Sequence, residues 1–559
     1  MAPGHVFVTQ GDLTRLHCDA WLLPTAANLW APQESWFEYR KDLAGVRDPD
    51  RKVLDLETPA GWGAAGVRTF PFAASTAGMP RPWPTITGAH GLTAGWIAVG
   101  VREFLDTAFA DVTRRGPVAG SGGVGGVGGS ASLTRTLPLL GVPFVGTGTG
   151  GAHLRKAEVA EALLDVAYEF VAHAACDVVI VAFEPVAFAA LQRARSGPQR
   201  SARAFPSLDE AARNDADRLA AHARRGDLVA FVGAGLGQAA GLPSWGRLLE
   251  DLAAHIDIDD VVRTELAQLD FTDQAQVLKM LEPEKELGVL IKDMFEPFER
   301  YSLAHSLVTR LPVQHFVTTN YDQLLEWSAA DQGEPLRVLG KDTDLELRRW
   351  LFKLHGCVTE PDEIVLSRQD YLRYEHRRGA LEGIVQALLI TQHMLFVGFS
   401  LTDPNFHRII DEVRRLLPAR PDTARTGGET KNGPKAGSRK AGTAVLLQDK
   451  VLTRRLWEDD LEIVVPTASD LVGADAPDGR AVEIFLDYLL HQAWDHRRFI
   501  LDAAYEEMLT DDETRLRAAL HALRSALPAV AKDDGGALTA PVRQLLEEYG
   551  LPPKVDPPT

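Results

Sequence analysis

An α/β protein built on parallel sheets is the fold class that this sequence predicts. Short apolar runs of strand length alternate with helix-length segments, and several of those runs pass straight into glycine or asparagine turns. At 559 residues the chain exceeds what one hydrophobic core serves, so two large domains with appendages are expected.

In the first half, His5 to Gln10 and Ala20 to Pro24 are short, apolar and bounded by turn residues, as strands are. The glycine-rich tract 120–129 cannot hold a regular element and reads as a loop. Pro143 to Val145 lead into Gly146-Thr147-Gly148-Thr149-Gly150-Gly151. Lys156 to Ala172 follow with the spacing of an amphipathic helix, and Asp177 to Phe183 as a buried strand. A polar stretch from Ser196-Gly197-Pro198 to Ser207 breaks the pattern. It sets a first domain at 1–195 and a linker at 196–219.

The second half is more legible. Leu228 to Val232 is an apolar strand running into Gly233-Ala234-Gly235, and Ser244 suits the N-cap of a helix holding Leu248, Leu249 and Leu252. Further strands are expected at Phe316 to Thr319, Leu351 to Leu354, Ile364 to Leu366 and Met394 to Gly398. Asp403-Pro404 opens a helix with a cap and a proline at its first position. Pro418 to Gly442, rich in glycine, lysine, proline and serine, reads as a mobile insertion. Strands at Ala444 to Leu447 and Leu461 to Val465 complete a second domain, 220–470. Residues 471–559 read as C-terminal helices from Gly479 onward and a proline-rich tail.

Lysine and arginine total 59 against 77 aspartates and glutamates, a net charge of -18 that argues against bulk nucleic-acid binding. The three cysteines, Cys18, Cys176 and Cys357, lie far apart without CxxC spacing. They exclude a disulfide framework and a four-cysteine zinc site, fit a reducing cytosol, and leave no metal expected. No basic start with an apolar run opens the chain, and no apolar stretch is long enough to cross a bilayer. A cytoplasmic protein without membrane association is therefore the expectation.

Chemistry concentrates at strand ends. Gly233-Ala234-Gly235 lets backbone approach a pyrophosphate, with the N–H groups of a helix start beside it, although such glycines alone make only a tight turn. Three more blocks follow: Thr318-Thr319-Asn320-Tyr321-Asp322, Lys353-Leu354-His355-Gly356 and Gly398-Phe399-Ser400. With Gly233 to Trp245, these four ordered blocks resemble the SIR2-like family, above all its prokaryotic defence branch, across residues 220–470. The resemblance implies a Rossmann-like parallel-sheet domain with NAD as its substrate and without a metal. It implies Asn320 and His355 as catalytic residues, and Gly233, Ala234, Gly235, Pro243, Asp322, Gly398 and Ser400 around the dinucleotide, with Asp322 on the nicotinamide side.

Those residue types suit the reaction. Breaking the nicotinamide–ribose bond builds positive charge on the ribose carbon, and nicotinamide leaves neutral without a strong acid. An acceptor such as Asn320 orients a water or ribose hydroxyl, and a base such as His355 takes a proton. Read in isolation, a histidine at a strand end such as His355 is more often a structural or surface residue, and Asn320, Asp322 and Ser400 can be read as helix or turn caps. The sequence departs from the family in Gly237, where a serine is usual, and in Ser244, Trp245 and Gly246, where deacylating members carry aspartate, phenylalanine and arginine. The missing zinc cysteines also disfavour deacylation.

The first domain has a second resemblance. Val6-Phe7-Val8-Thr9-Gln10-Gly11-Asp12-Leu13-Thr14, then Asp19 to Asn28, Pro138 to Gly151 and the strand near Val178, are similar to a macro domain. Residues 30–135 carry no such signature, and Trp21 and Pro24 are unusual for it. The resemblance implies a macro-like α/β/α fold that binds ADP-ribose, with Asp12 near the adenine amine, Asn28 near the distal ribose, and Gly146, Gly148 and Gly150 around the diphosphate. Together the two resemblances imply an NAD glycohydrolase acting as a triggered antiphage, abortive-infection effector. Its trigger would be an ADP-ribose-type nucleotide signal or a phage protein, and a homo-oligomer is expected. The alternatives are a protein ADP-ribosyltransferase coupled to a macro-like reader or eraser, and a non-catalytic NAD or ADP-ribose binding module.

Overall fold

The apolar runs form parallel strands whose side chains are buried on both faces. The computed structural model describes residues 3–31, 47–48, 53–63, 66–72, 80–88, 93–116, 135–145, 156–256, 258–282, 286–343, 348–416, 440–466, 479–534 and 539–551. These gather into two units, one drawn from within 1–119, 137–206 and 494–559, the other from within 120–136 and 207–493. The glycine tract 120–129, the Gly146–Gly151 run and residues 418–439 of the expected insertion lie outside the described residues.

The first unit holds β1 (Val6–Gln10), β2 (Ala20–Ala26), β3 (Arg81–Gly88), β4 (Leu139–Pro143) and β5 (Asp177–Ala182) in the order β1-β5-β4-β2-β3. All four pairings are parallel. Two carboxylates pin the strand starts: Asp177 Oδ1 accepts the His5 N–H at 2.6 Å, and Asp19 Oδ2 accepts that of Leu139 at 2.7 Å. Helices α1 (Ala94–Arg115), α2 (Lys156–Val171), α3 (Pro185–Arg195) and α4 (Pro198–Ala204) accompany the sheet. A Cβ on Gly100 would lie 2.8 Å from the Ile86 carbonyl, so α1 crosses β3 at a glycine. The proline-containing β3 is an edge strand, where absent N–H groups cost least.

The stretch 196–219, expected as a linker, contains α4 and the first ten residues of α5 (Glu210–Arg225), and the division between the two units falls within it. Pro198 sits in the first turn of α4, and Asp209 caps α5 by accepting the Ala212 N–H at 2.7 Å; the residues that broke the apolar pattern are helix starts.

The second unit is a seven-stranded parallel sheet of β6 (Leu228–Val232), β7 (His315–Thr318), β8 (Arg337–Val338), β9 (Trp350–Lys353), β10 (His393–Val397), β11 (Gly442–Val445) and β12 (Leu461–Val464). Its order is β8-β9-β7-β6-β10-β11-β12. The direction of winding reverses between β6 and β10, which opens a crevice at their carboxyl ends. Gly442 thus belongs to a strand and not to the insertion. Ile364 to Leu366, expected as a strand, forms no ladder. A 3-10 turn at Pro361–Glu363 and a Ser367 capping box confine it to a short extended segment.

Connecting helices are α6 (Ala234–Ala239), α7 (Trp245–His255), α8 (Asp260–Leu266), α9 (Phe271–Leu281), α10 (Leu287–Phe295), α11 (Leu303–Arg310), α12 (Leu324–Asp331), α13 (Arg368–Thr391), α14 (Pro404–Leu416), α15 (Val451–Trp457) and α16 (Gly479–Ala493). Residues of α7, α9 and α10 share a core with Tyr321, Ile364 and Leu366. The expected C-terminal block 471–559 is divided. While α16 packs with α5 in the second unit, Trp494 onward joins the first, where Phe499 and Tyr505 pack on Ala189 and Ala190. Helices α17 (Asp511–Asp534) and α18 (Thr539–Glu548) end the described chain.

Candidate active site

The four sequence blocks meet at one edge of the second sheet because β9, β7, β6 and β10 are neighbours and parallel. At the switch point, the Gly233 N–H donates to the Val397 carbonyl and the Gly235 N–H to that of Gly398, both at 2.9 Å. A Cβ on Gly233 would stand 2.4 Å from the Gly398 oxygen. Gly398 has φ of +64°, and a Cβ there would meet Leu236 Cδ1 at 2.6 Å. Glycine is required here by the contact of two strand-end loops. The Gly233 and Gly235 N–H groups are engaged by that contact; the two residues are buried and Ala234 is half-buried. Pro243 is half-buried nearby in sequence, and the Ser400 hydroxyl lies 2.6 Å from that of Thr402.

Asn320 is held by the strand end that precedes it. Thr318 Oγ1 donates to the Val232 carbonyl at 2.8 Å and accepts the Asn320 N–H at 3.0 Å. The Asn320 side-chain N–H donates to the Gly233 carbonyl at 3.2 Å, while its Oδ1 is buried without a hydrogen-bond partner among the described residues. Asp322 Oδ1 accepts the Leu324 N–H at 3.0 Å at the start of α12. Burial pushes this carboxyl above its usual range, against the pull of Lys353. A Cβ on Gly237 would lie 3.6 Å from Asp322 Oδ2, so the family's usual serine position faces this carboxylate.

Lys353 and His355 extend from β9. Lys353 Nζ is buried, 2.8 Å from Glu326 Oε1, and also donates to the Asp322 carbonyl. Burial acts against its charge, but Glu326 outweighs it and holds the amine above the usual lysine range. Gly356 takes φ of +90° where a Cβ would come within 2.5 Å of the Glu363 carbonyl. The loop is clasped from above: the Val365 N–H donates to the His355 carbonyl at 2.9 Å, and the Tyr321 hydroxyl donates to the Val365 carbonyl at 2.8 Å.

The His355 side chain is 1% exposed, with Nε2 3.2 Å from Asp403 Oδ2, and among the described residues neither ring nitrogen has a partner at full hydrogen-bond geometry. Asp403 also accepts the Phe406 N–H at 2.9 Å and the Tyr371 hydroxyl at 3.3 Å. Burial would raise the Asp403 carboxyl, but pairing with His355 and these donors brings it below its usual range. Burial, reinforced by Asp403, lifts the Tyr371 hydroxyl well above the ordinary tyrosine range and keeps it a donor. Sequence reading treated Asp403 only as a helix cap. Tyr371, inside α13, gave no signal at all.

In the first unit, Asp12 Oδ1 accepts the Thr14 N–H at 2.8 Å and its hydroxyl at 2.7 Å, capping a short 3-10 turn. Asn28 Oδ1 accepts the Trp30 N–H at 3.2 Å on an exposed turn. Gly146, Gly148 and Gly150 lie outside the described residues. Among the described residues no group of three or more histidines, cysteines or acids could hold a metal ion, and no helix is long and apolar enough to cross a membrane.

Comparison with known proteins points the same way. A family model for the SIR2-like domain matches residues 314–431. The chain is 33% identical over 202 residues to a protein of Enterococcus faecium named NAD(+) hydrolase ThsA, covering 34% of this chain and 41% of that one. It is 31% identical over 189 residues to the NAD(+) hydrolase ThsA of Bacillus cereus (strain MSX-D12), covering 33% and 39%. A Bacillus subtilis protein named Defense-associated sirtuin 2 is 25% identical over 199 residues, 34% of this chain and 20% of that one. The chain thus spans about two fifths of the length of the ThsA relatives it matches. Taken with the parallel sheet and its four strand-end blocks, these matches identify residues 314–431 as matching the SIR2-like domain.

Proposed function

We propose that the SIR2-like unit hydrolyses NAD to nicotinamide and ADP-ribose. One observation carries the reading: Asn320 Oδ1 and the ring nitrogens of His355 are buried without a hydrogen-bond partner among the described residues, and they stand on the loops that follow adjacent parallel strands. Buried polar atoms are normally satisfied, so a pair left open at a strand-end crevice suits a polar ligand. In the reaction, the glycosidic electron pair leaves with nicotinamide and a water oxygen bonds the ribose carbon. The water's proton passes to His355 and then to solvent, and Asn320 orients the water.

The relatives' names support both the activity and a role in antiphage defence. The slight exposure of His355 supports a triggered enzyme, because NAD reaches that base only in a second, more open state. For the first unit we propose a macro-like sensor of an ADP-ribose-type nucleotide, supported by its parallel sheet; a phage protein is the other trigger. We place the assembled homo-oligomer in the cytoplasm.

The test is nicotinamide release from NAD by the purified protein, with and without extract of phage-infected cells. We expect release that Asn320→Ala and His355→Ala each reduce by at least about a hundredfold. Measurable NAD binding with no release under either condition would reject the hydrolase and favour a binding module.

A further inference from the structure

We infer that Asp403 is a positioning residue that acts on the reaction through His355; this rests on the NAD-hydrolase reading. The two side chains come from different parts of the chain, His355 from the loop after β9 and Asp403 from the start of α14. His355 is buried at 1% exposure and Asp403 is half-buried with its side chain 10% exposed, and Oδ2 lies 3.2 Å from Nε2. A cap needs only one carboxylate oxygen, and Oδ1 already fills that role at 2.9 Å from the Phe406 N–H. Oδ2 is turned instead toward the imidazole and is held there by the Tyr371 hydroxyl at 3.3 Å. The Tyr371 ring also meets the imidazole edge-on, with centroids 5.4 Å apart. The backbone of His355 is fixed independently by Gly356 and by the Val365 N–H.

This arrangement assigns the two ring nitrogens. A carboxylate against Nε2 keeps the N–H on that nitrogen, so Nδ1, which has no hydrogen-bond partner among the described residues, is the acceptor. When the attacking water bonds the ribose carbon, its proton goes to Nδ1. The imidazolium so formed is stabilised by Asp403, which stays ionised and takes no proton itself. In the free protein the Nε2 contact lacks the alignment of a full hydrogen bond; it tightens as charge develops on the ring.

Asp403→Asn keeps the Oδ1 cap and removes the charge, so it separates positioning from folding. We expect its Tm and NAD KM to match the wild type while kcat for nicotinamide release falls roughly 10²–10⁴-fold. Asp403→Ala, which also loses the cap, should add a drop in Tm. A kcat for Asp403→Asn within about twofold of the wild type would overturn the inference. A second readout does not depend on turnover: in nitrogen-15 histidine spectra of the full chain, with the His355 signal assigned from His355→Gln, Asp403→Asn should change the His355 tautomer signature. An unchanged signature overturns the inference. If the wild-type protein releases no nicotinamide but the signature does change, the hydrolase reading fails while the Asp403–His355 pairing stands.

Discussion

Gly398 shows how one residue serves both backbone and packing. Its φ of +64° disfavours any side chain, and a Cβ would press on Leu236. Gly398→Ala should therefore cost about 1–3 kcal/mol in urea unfolding, where a surface glycine would gain slightly. An unchanged midpoint would mean that the two strand-end loops are not locked together. At this scale the sequence was informative about which residues matter and less so about why. Gly233 and Gly235 were legible as a turn after a strand, yet their N–H groups bond the neighbouring strand end and are not left free for phosphate. Asn320 and His355 stood out within their blocks. Asp403 did not, because its approach to His355 depends on how β9 and β10 are ordered around β7 and β6, and side-by-side placement of distant strands leaves no local pattern.

Elements were readable where periodicity and punctuation agreed. The strand β6 lies where its apolar run begins and ends. By contrast β3 contains Pro82 and Pro84, and α1 contains Gly95 and Gly100, so propensity spoke against both. Tertiary contact explains the second case. Propensity alone gives Gly100→Ala a gain of up to about 1 kcal/mol, but the Ile86 carbonyl at 2.8 Å blocks the new methyl. We expect a net loss of about 1–3 kcal/mol in thermal or urea unfolding, and a net gain would show that α1 can shift away from β3. Under the site, Phe231, Phe396, Phe399 and Phe406 form an aromatic cluster with Phe231 and Phe399 rings 4.6 Å apart. Phe399→Ala should cost about 3–5 kcal/mol and disturb Gly398 and Ser400 beside it. A Phe399→Leu protein with near wild-type stability would indicate that volume, more than ring geometry, is what this floor requires.

At the scale of the molecule, each unit carries a histidine that resists protonation, His305 buried and His496 half-buried. Burial pushes His305 down to about 3, and burial with nearby arginines pushes His496 down to about 4. In an unfolded chain both titrate near pH 6.5, so below that the unfolded state binds protons that the folded state refuses. Stability is complete above about pH 6.5 and falls on acidification toward the folded values, by roughly 1.4 kcal/mol per pH unit for each histidine. Urea midpoints measured between about pH 7.5 and 5 should decline, and His305→Gln, which leaves an acceptor for Ser302, should flatten the decline. Equal slopes for the two proteins would remove His305 from this account. The division of the chain also bears on how the protein is made. The first unit takes residues from either side of segment 207–493, and its Phe188 ring meets Trp494 at 5.3 Å. On the ribosome, every strand of the second sheet has been made before Trp494 and the residues after it that pack into the first unit. The unit that carries the strand-end site is therefore synthesised before its companion has all the residues it packs together, and a ribosome that stops near Ala493 leaves that companion short of Trp494 and the helices after it.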